Sequence, residues 1–254
     1  MTIPDLQRRF GGLDRLYGAT AAGKIRKSHI AVVGIGGVGS WSAEALARSG
    51  VGRLTLIDLD HIAESNMNRQ IHALEPSLGQ AKVLAMRDRI ALINPACDVT
   101  CVEEFVDPEN WPGLLPTGVD AVIDACDQIR AKVAMASWAG TVHTVFITVG
   151  AAGGKRQAHQ VDIADLALAT HDPLLAQLRS RLRKHHAAPA AGRKMGINCV
   201  FSHENVRSAA AECAPVLDGS LNCHGYGSSV GVTATFGFCA ASWILDQIAA
   251  PTAN

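Results

Sequence analysis

Short apolar runs alternate with amphipathic segments in the first half of the chain. HIAVVG and RLTLID are apolar runs typical of buried strands, and SWSAEALARSG between them has helical periodicity and a glycine stop. Two strands joined through a helix form a βαβ unit, in which the strands run parallel. The pattern therefore predicts a mononucleotide-binding unit at the start of the protein.

The same alternation continues as far as Gly150. A helix is predicted over AKVLAMRDRIALINP, where Pro95 ends it, and a second over IRAKVAMASWAG. Strands are predicted over DVTCVEEF, VDAVIDAC and TVHTVFITVG. The fold class that this indicates is α/β, a Rossmann-like, mostly parallel sheet with helices on both faces.

Beyond the glycine-rich turn of residues 150–154 the alternation is lost. QAHQVDIAD suggests one more strand, DPLLAQLRSRLRKHH a helix, and VGVTATFGFCAASWIL an apolar helix near the C-terminus. We expect residues 1–154 to form a nucleotide-binding core with an N-terminal helical segment. Residues 155–254 would form a substrate lobe and a C-terminal helix, in one continuous domain with the core.

Composition supports a soluble protein with a large core. Apolar residues make up 48% of 254 positions and the net charge is zero, which argues against a uniformly basic surface. Seven scattered cysteines without a C-x-x-C pair argue against a zinc ribbon or a disulfide framework, and the first residues lack a signal-peptide pattern. Together, the cysteines and the N-terminus predict a cytoplasmic location. Polar residues interrupt the late apolar stretch, so we expect a core or interface helix there and no membrane span.

A glycine-rich loop follows the first predicted strand and opens the next helix. It contains Gly34, Gly36, Gly37, Gly39 and Ser40. Such a turn brings bare backbone and a helix N-terminus against phosphate. Asp58 at the end of the second strand could bind a ribose hydroxyl. By themselves, these features equally suit NAD or FAD, so an NAD-binding oxidoreductase is one alternative.

A polar and cationic block after the second strand distinguishes an ATP site from an NAD or FAD site. The block DLDHIAESNMNRQ, with Lys82 at the start of the next helix, supplies Asp60, Asn66, Asn68, Arg69 and Gln70. Dinucleotide binding does not require this cluster. Arg69 and Lys82 would instead neutralise the triphosphate charge that develops during transfer of an adenylyl group. The block therefore favours an adenylating enzyme that uses ATP.

Two acidic residues lie at the end of the strand VDAVIDACD. Asp124 and Asp127 are at the carboxyl edge of the predicted sheet, where ligands of open α/β folds bind. Mg²⁺ takes one or two carboxylates together with phosphate oxygens. Asp127 is our predicted Mg²⁺ ligand, and Asp124 could simply cap the next helix.

Together these motifs resemble the ubiquitin-activating-enzyme superfamily, including its ThiF-like bacterial members. The shared pattern is GIGGVGS, DLD, SNMNRQ, a downstream lysine and DACD. The resemblance implies that Asp58 binds ribose, that Asn66, Arg69 and Lys82 contact phosphates, and that Asp127 coordinates Mg²⁺. It also implies that the enzyme activates a carboxylate as an acyl adenylate.

Within the superfamily the chain is most similar to bacterial enzymes that use ATP to dehydrate threonylcarbamoyladenosine in tRNA. Supporting stretches include RFGGLDRLYG, NRQIHAL, NCVFS and VTATFGF. The alternative substrate is the C-terminus of a ubiquitin-like sulfur-carrier protein, but enzymes for such carriers usually hold zinc with two C-x-x-C pairs. Their absence favours tRNA.

The resemblance also implies a homodimer, because relatives insert an arginine from a partner subunit into the active site. Arg9, which precedes an aromatic residue as in the relatives, is preferred to Arg15. Candidates on the substrate side are a thiol that could accept an acyl group, Cys223, and a possible proton acceptor, His224. Each has an ordinary structural alternative. A monovalent cation near residues 150–154 is a further possibility.

Residues 173–203 form a basic stripe that contains no acidic residue. Its members on the predicted helix are Arg179, Arg181, Arg183 and Lys184, and Arg193 and Lys194 follow in the next loop. A tRNA backbone requires such a stripe, and a solvated helix face is the alternative.

Overall fold

The computed structural model of the protein describes residues 5–142, 144–207 and 226–251. Within these ranges the strands are β1 (His29–Val33), β2 (Arg53–Ile57), β3 (Asp98–Val102), β4 (Ala121–Asp124), β5 (Val145–Val149), β6 (Val161–Asp165) and β7 (Asn198–Ser202). The α-helices are α1 (Leu6–Tyr17), α2 (Ala19–Lys27), α3 (Gly39–Arg48), α4 (Lys82–Ile93), α5 (Ile129–Ala139), α6 (Pro173–His185) and α7 (Val230–Ala249).

The strands form one sheet in the order β3-β2-β1-β4-β5-β7-β6. All neighbours pair in parallel except β6, which is antiparallel to β7. From β1 the chain builds the sheet outward through β2 and β3, and then returns to the other side of β1 with β4. Loops leaving β1 and β4 diverge there and open a crevice at the carboxyl edge, where open α/β sheets bind ligands. The predicted fold class is confirmed.

The sheet continues past the glycine-rich turn. β7 was not predicted from the sequence, and it lies between β5 and β6. It pairs in parallel with β5 over three residues and in antiparallel with β6 over five. Residues 155–202 therefore extend the same sheet that carries the glycine loop, and the second half of the chain shares its core with the first.

Two apolar layers cover the sheet. On one face, α3, α4 and α7 contribute buried side chains such as Leu46, Met86 and Phe236. On the other face, α5 and α6 contribute Met135 and Leu178. Helices on both faces explain why the central strands are almost continuous apolar runs rather than alternating ones.

α7 is, within the described ranges, the one helix long and apolar enough to cross a membrane by composition. It is a core helix in this fold, because Val232, Phe236, Ala240 and Ile244 are buried. A Cβ atom at Gly237 would lie 2.5 Å from the carbonyl oxygen of Val38, so α7 touches the backbone just after the glycine loop. This agrees with the core helix predicted from the sequence.

Candidate active site

The glycine loop between β1 and α3 is packed too tightly for side chains at two positions. Gly34 has φ +85°, and a Cβ atom there would lie 2.8 Å from the backbone nitrogen of Cys126, which follows β4. A Cβ atom at Gly39 would lie 1.8 Å from the carbonyl oxygen of Gly34. Gly36, in contrast, has nothing within 4 Å, so the middle of the loop is open to a ligand. The loop is a backbone cradle at the crevice.

Replacing Gly39 with alanine is expected to destabilise the protein by about 1–3 kcal/mol, because the clashing atom is backbone and cannot rotate away. We expect the Tm to fall by roughly 2–12 °C in thermal unfolding. The matched control is Gly23→Ala, which lies inside α2 with nothing within 4 Å of the added atom. It should leave the Tm unchanged or raise it. Equal Tm values for the two variants would contradict this packing of the loop.

Arg69 lies against the glycine loop. A Cβ atom at Gly37 would meet the Cγ of Arg69 at 3.2 Å, so the stem of the arginine packs on the loop. The guanidinium donates from Nη1 to the carbonyl oxygen of Ser65 at 2.7 Å, and the indole of Trp41 donates to the carbonyl oxygen of Arg69 at 2.9 Å. The structure thus brings together the loop and the arginine that the sequence predicted to act on phosphate.

Asp58 connects β2 to the same loop. Its Oδ2 accepts from the backbone N–H of Ile35 at 2.6 Å, and its Oδ1 accepts from that of Asp60 at 2.8 Å. Burial raises the pKa of this carboxyl, and the nearby charge of Lys82 opposes that rise. Lys82 itself is paired with Asp60, with 2.6 Å between Nζ and Oδ2. The sequence predicted only a ribose contact for Asp58, whereas in the structure its carboxylate also holds the glycine loop through the backbone N–H of Ile35.

The remaining polar residues of the block differ in exposure. Asn66 is buried and accepts from the backbone N–H of Ala63, and Asn68 is exposed and donates to the carbonyl oxygen of Ser228. Gln70 is buried, and its Oε1 has no partner among the described residues. Ser40 is fully buried. The prediction of a direct nucleotide contact by Ser40 is therefore not matched by this geometry, since no part of its side chain is open to a ligand.

Asp127 is exposed at the carboxyl end of β4, and among the described residues its carboxylate makes no hydrogen bond or ion pair. Asp124, three residues earlier, is fully buried, so it does not cap the next helix. Its Oδ2 lies 3.0 Å from Nζ of Lys132 and accepts from the hydroxyl of Thr148 at 2.6 Å. Of the two predicted carboxylates, only Asp127 is available to a metal ion.

Lys132 is a positioning residue that sequence reasoning missed. Its ammonium is fully buried and also donates to the carbonyl oxygen of Val149 at 2.7 Å. Burial acts to lower the pKa of Lys132, but the carboxylate of Asp124 outweighs it and the pKa is raised. The pair joins the carboxyl ends of β4 and β5. The available signal was a lysine inside the apolar helix IRAKVAMASWAG, which usually indicates a solvated side chain.

The two candidate N-terminal arginines both lie on α1. Arg9 donates from Nη1 to the carbonyl oxygen of Ile93, at the end of α4, and its neighbour Phe10 packs against Gly50, just beyond α3. α3 has ten residues and thus separates Gly50 from the loop by about 15 Å. Arg15 is exposed in the last turn of α1. Arg9 therefore lies near the end of α3 that is remote from the glycine loop.

A buried lysine lies beside the turn of residues 150–154. Lys155 donates from Nζ to the carbonyl oxygens of His171, Ser202 and Glu204, at 3.1, 3.2 and 2.9 Å. These oxygens are the kind of ligands that a monovalent cation would use, and here an ammonium holds them. This lysine ties the turn to the end of β7 beside the crevice.

The basic residues of α6 fall into two groups. Arg179 is partly buried and donates from Nη1 to the carbonyl oxygens of Leu166 and Ala169, at 3.0 and 2.9 Å. Nη1 of Arg179 is thus engaged within the fold, and a contact of Arg179 with tRNA stays a prediction. Arg183 donates to the carbonyl oxygen of Pro189, while Arg181 and Lys184 are exposed. The other substrate-side candidates, Cys223 and His224, lie outside the described residues.

The fold and the site together define a nucleotide-binding α/β protein of the adenylating class, with a glycine cradle, a cation packed on it and an exposed carboxylate at one sheet edge. The chain belongs to the ThiF family, whose family model matches residues 10–247. The resemblance inferred from the motifs is confirmed at this level.

The relatives cover nearly the whole chain. The protein is 42% identical to the tRNA threonylcarbamoyladenosine dehydratase of Haemophilus influenzae over 248 aligned residues. This alignment covers 97% of the present chain and 95% of the Haemophilus influenzae protein. The crystal structure of the Escherichia coli tRNA N6-threonylcarbamoyladenosine dehydratase in complex with ATP superposes with a TM-score of 0.87 at 42% identity, covering 98% and 97% of the two chains. The same enzyme in complex with AMP gives a TM-score of 0.86.

Proposed function

We propose that this protein is an ATP-dependent enzyme that dehydrates threonylcarbamoyladenosine in tRNA to its cyclic form. The observation that carries the adenylating chemistry is the stem of Arg69 packed on Gly37 of the glycine loop. The tRNA substrate is supported by 42% identity to a dehydratase along almost the full length of both chains. A family match confined to the nucleotide core would not favour one substrate over another.

The proposed reaction has two steps. The threonyl carboxylate attacks the α-phosphate of ATP, pyrophosphate leaves, and an acyl adenylate forms. The ureido group of the same nucleoside then attacks the activated carbonyl and AMP leaves, so the product lacks one water relative to the substrate. Because ring closure is intramolecular, no protein nucleophile is required, and neither Cys223 nor His224 is needed for the balance of atoms.

The protein's own groups would orient the nucleotide and stabilise the charge of the departing pyrophosphate. Arg69, whose stem packs on the loop, would meet phosphate oxygens with a planar fork of donors. Lys82 would exchange its present partner, Asp60, for a phosphate oxygen. Asp58 would bind a ribose hydroxyl while it accepts the hydrogen bond from the backbone N–H of Ile35 in the loop. The Oε1 of Gln70 is buried and has no hydrogen-bond partner among the described residues.

The residues present suit Mg²⁺, which would neutralise phosphate charge when bound. The described residues contain no group of three His, Cys, Asp or Glu side chains able to hold a metal. Mg²⁺ does not need one, because it keeps several waters and combines one or two carboxylates with phosphate oxygens. Asp127 is the carboxylate that would hold it.

Replacing Asp127 with asparagine is expected to raise the Mg²⁺ concentration needed for half-maximal turnover by roughly 10–100-fold, as metal sites weaken when a supporting group is lost. Initial rates measured over a Mg²⁺ titration at saturating ATP check this. Glu109→Gln, at an exposed carboxylate that is paired with Arg130 of α5, is the control and should keep the native Mg²⁺ curve. Identical curves for the two variants would exclude Asp127 as the ligand.

We further propose that the enzyme works as a homodimer in the cytoplasm. Arg9 lies about the length of α3 from its own glycine loop, so it can act on a nucleotide only from a partner subunit. Mixing a subunit that lacks Arg9 with one that lacks Arg69 tests whether Arg9 acts on the nucleotide of the partner subunit or has only a structural role. Partial recovery of activity in the mixture supports a trans arginine, and no recovery contradicts it.

The release of AMP and pyrophosphate tests the proposed function. The protein is incubated with ATP and Mg²⁺ together with one of three additions: tRNA that bears threonylcarbamoyladenosine, unmodified tRNA, or a sulfur-carrier protein with a Gly-Gly C-terminus. We expect pyrophosphate release only with modified tRNA. Release with the carrier protein alone would instead assign the enzyme to carrier activation.

A further inference from the structure

A cleft of about 500 Å³ opens at the amino edge of the sheet, opposite the glycine loop. It arises from the register of two strands. β5 begins at Val145, but its pairing with β7 begins only at Ile147, opposite Asn198. Val145 and Phe146 therefore pair with β4 on one side and leave the other side open. The ends of α5 and α6 and the loop before β7 enclose this gap.

The walls of the cleft are apolar with polar groups between them. Pro189, Met195 and Trp243 provide apolar and aromatic surface, with the buried Phe146 behind them. The rim carries His186, whose Nδ1 lies 2.9 Å from the hydroxyl of Ser137. Its volume falls within the roughly 300–1,000 Å³ typical of small-molecule sites. Apolar walls with a few hydrogen-bonding groups are the surroundings that a nucleobase requires.

The loop beside the cleft is held in place and is cationic. Asp165 accepts from the backbone N–H groups of Met195 and Gly196, at 2.9 and 2.7 Å, and Arg183 donates to the carbonyl oxygen of Pro189. Exposed cations flank the lining of the cleft along the chain: Lys184 lies two residues before His186, and Arg193 and Lys194 lie directly before Met195. A cationic rim around an apolar cleft matches a polyanion that carries bases, with phosphates outside and a base inside.

This surface is separate from the adenylation site. α6 begins near the carboxyl edge, where Asp172 accepts from the backbone N–H of Ala151, and ends near the amino edge at Lys184 and His185. The helix has 13 residues, a length of about 20 Å. An RNA that contacts both surfaces must extend past the modified nucleoside.

We propose that the amino-edge cleft is a second RNA-binding site, in which an unpaired tRNA base stacks against Trp243 while backbone phosphates lie on Lys184, Arg193 and Lys194. The proposal rests on tRNA being the substrate. The site would hold a part of the tRNA remote from the reacting nucleoside and supply binding energy there.

Removing the rim charges tests the proposed contacts between the rim and the tRNA phosphates. The affinity of the full-length protein for unmodified tRNA is measured at several salt concentrations. The triple variant Lys184→Ala, Arg193→Ala, Lys194→Ala should bind roughly 10–100-fold more weakly, with a slope of log affinity against log salt that is shallower by about 2–3. The matched control is Lys27→Ala, Arg48→Ala, Arg53→Ala, three exposed charges under β1 and β2. An equal loss in both triple variants would mean diffuse attraction and overturn the site.

Filling the cleft tests whether a tRNA base binds in it. Ala139→Trp places an indole in the cleft and should weaken tRNA binding by roughly 5–100-fold without changing the salt slope. Leu92→Trp, at an exposed position on α4, is the control and should bind normally. Native affinity in Ala139→Trp would overturn the base pocket. This assay measures the binding of unmodified tRNA and not the reaction, so a failure of the dehydration assay and a failure of this binding site can be told apart. In each variant, a rise in Tm on addition of ATP shows that the fold is intact.

Discussion

Lys132→Met is expected to lower the free energy of unfolding by about 3–5 kcal/mol, because it leaves the carboxylate of Asp124 buried without its cation. Both side chains of this pair are fully buried. For a domain of this size the loss corresponds to a Tm lower by roughly 6–20 °C. Nucleotide binding should weaken too, since the pair joins the strand ends that lead to Asp127 and to the turn of residues 150–154.

Two comparisons make this result specific. Arg87→Gln breaks the exposed pair with Asp88 and should change the stability by less than about 1 kcal/mol. Adding Asp124→Asn to Lys132→Met removes the uncompensated charge and should recover part of the lost Tm. If Lys132→Met melts at the same temperature as Arg87→Gln, the buried pair does not contribute as described.

Arg69→Ala is expected to reduce the rate of adenylation by roughly 10²–10³-fold, the usual effect of removing one preorganised donor to developing charge. The loss should fall mainly on kcat, because the charge of the departing pyrophosphate is greatest in the transition state. Steady-state rates of pyrophosphate release measure it. The fold should persist, because Trp41 hydrogen-bonds the backbone of residue 69 and not its side chain.

The control for this variant is Arg69→Lys, which keeps the charge but loses the planar fork and should recover only part of the rate. The same variants address the alternative of an NAD-binding oxidoreductase. A protein of that class would bind NAD as well after Arg69→Ala as before. Native turnover in Arg69→Ala would remove this arginine from the chemistry.

The sheet was largely predictable because its buried strands are continuous apolar runs between clear helix signals. β7 was not predicted because NCVFS is a five-residue run that follows a loop after α6 and has no predicted helix directly after it. Its position between β5 and β6 depends on long-range pairing, which a local pattern does not contain. The apolar C-terminal helix was predicted as a core element, and its contact with the loop through Gly237 needed the structure.

The candidate site was predictable where backbone geometry limits the residue type. Gly34 and Gly39 have no room for a Cβ atom, and such glycines leave a readable motif. Exposure could not be predicted in the same way. Asp124 and Asp127 look alike in sequence, yet one is buried with Lys132 and the other is exposed. Arg179 likewise reads as part of a charged stripe but binds carbonyl oxygens of its own chain.

The mass of the modified nucleoside after reaction shows most directly whether the protein is a dehydratase. tRNA bearing threonylcarbamoyladenosine is incubated with the protein, ATP and Mg²⁺, digested under mild conditions, and analysed by liquid chromatography and mass spectrometry. We expect a nucleoside lighter by one water, which forms only with ATP and in parallel with AMP. An unchanged nucleoside mass, with a protein that still binds ATP, would contradict it.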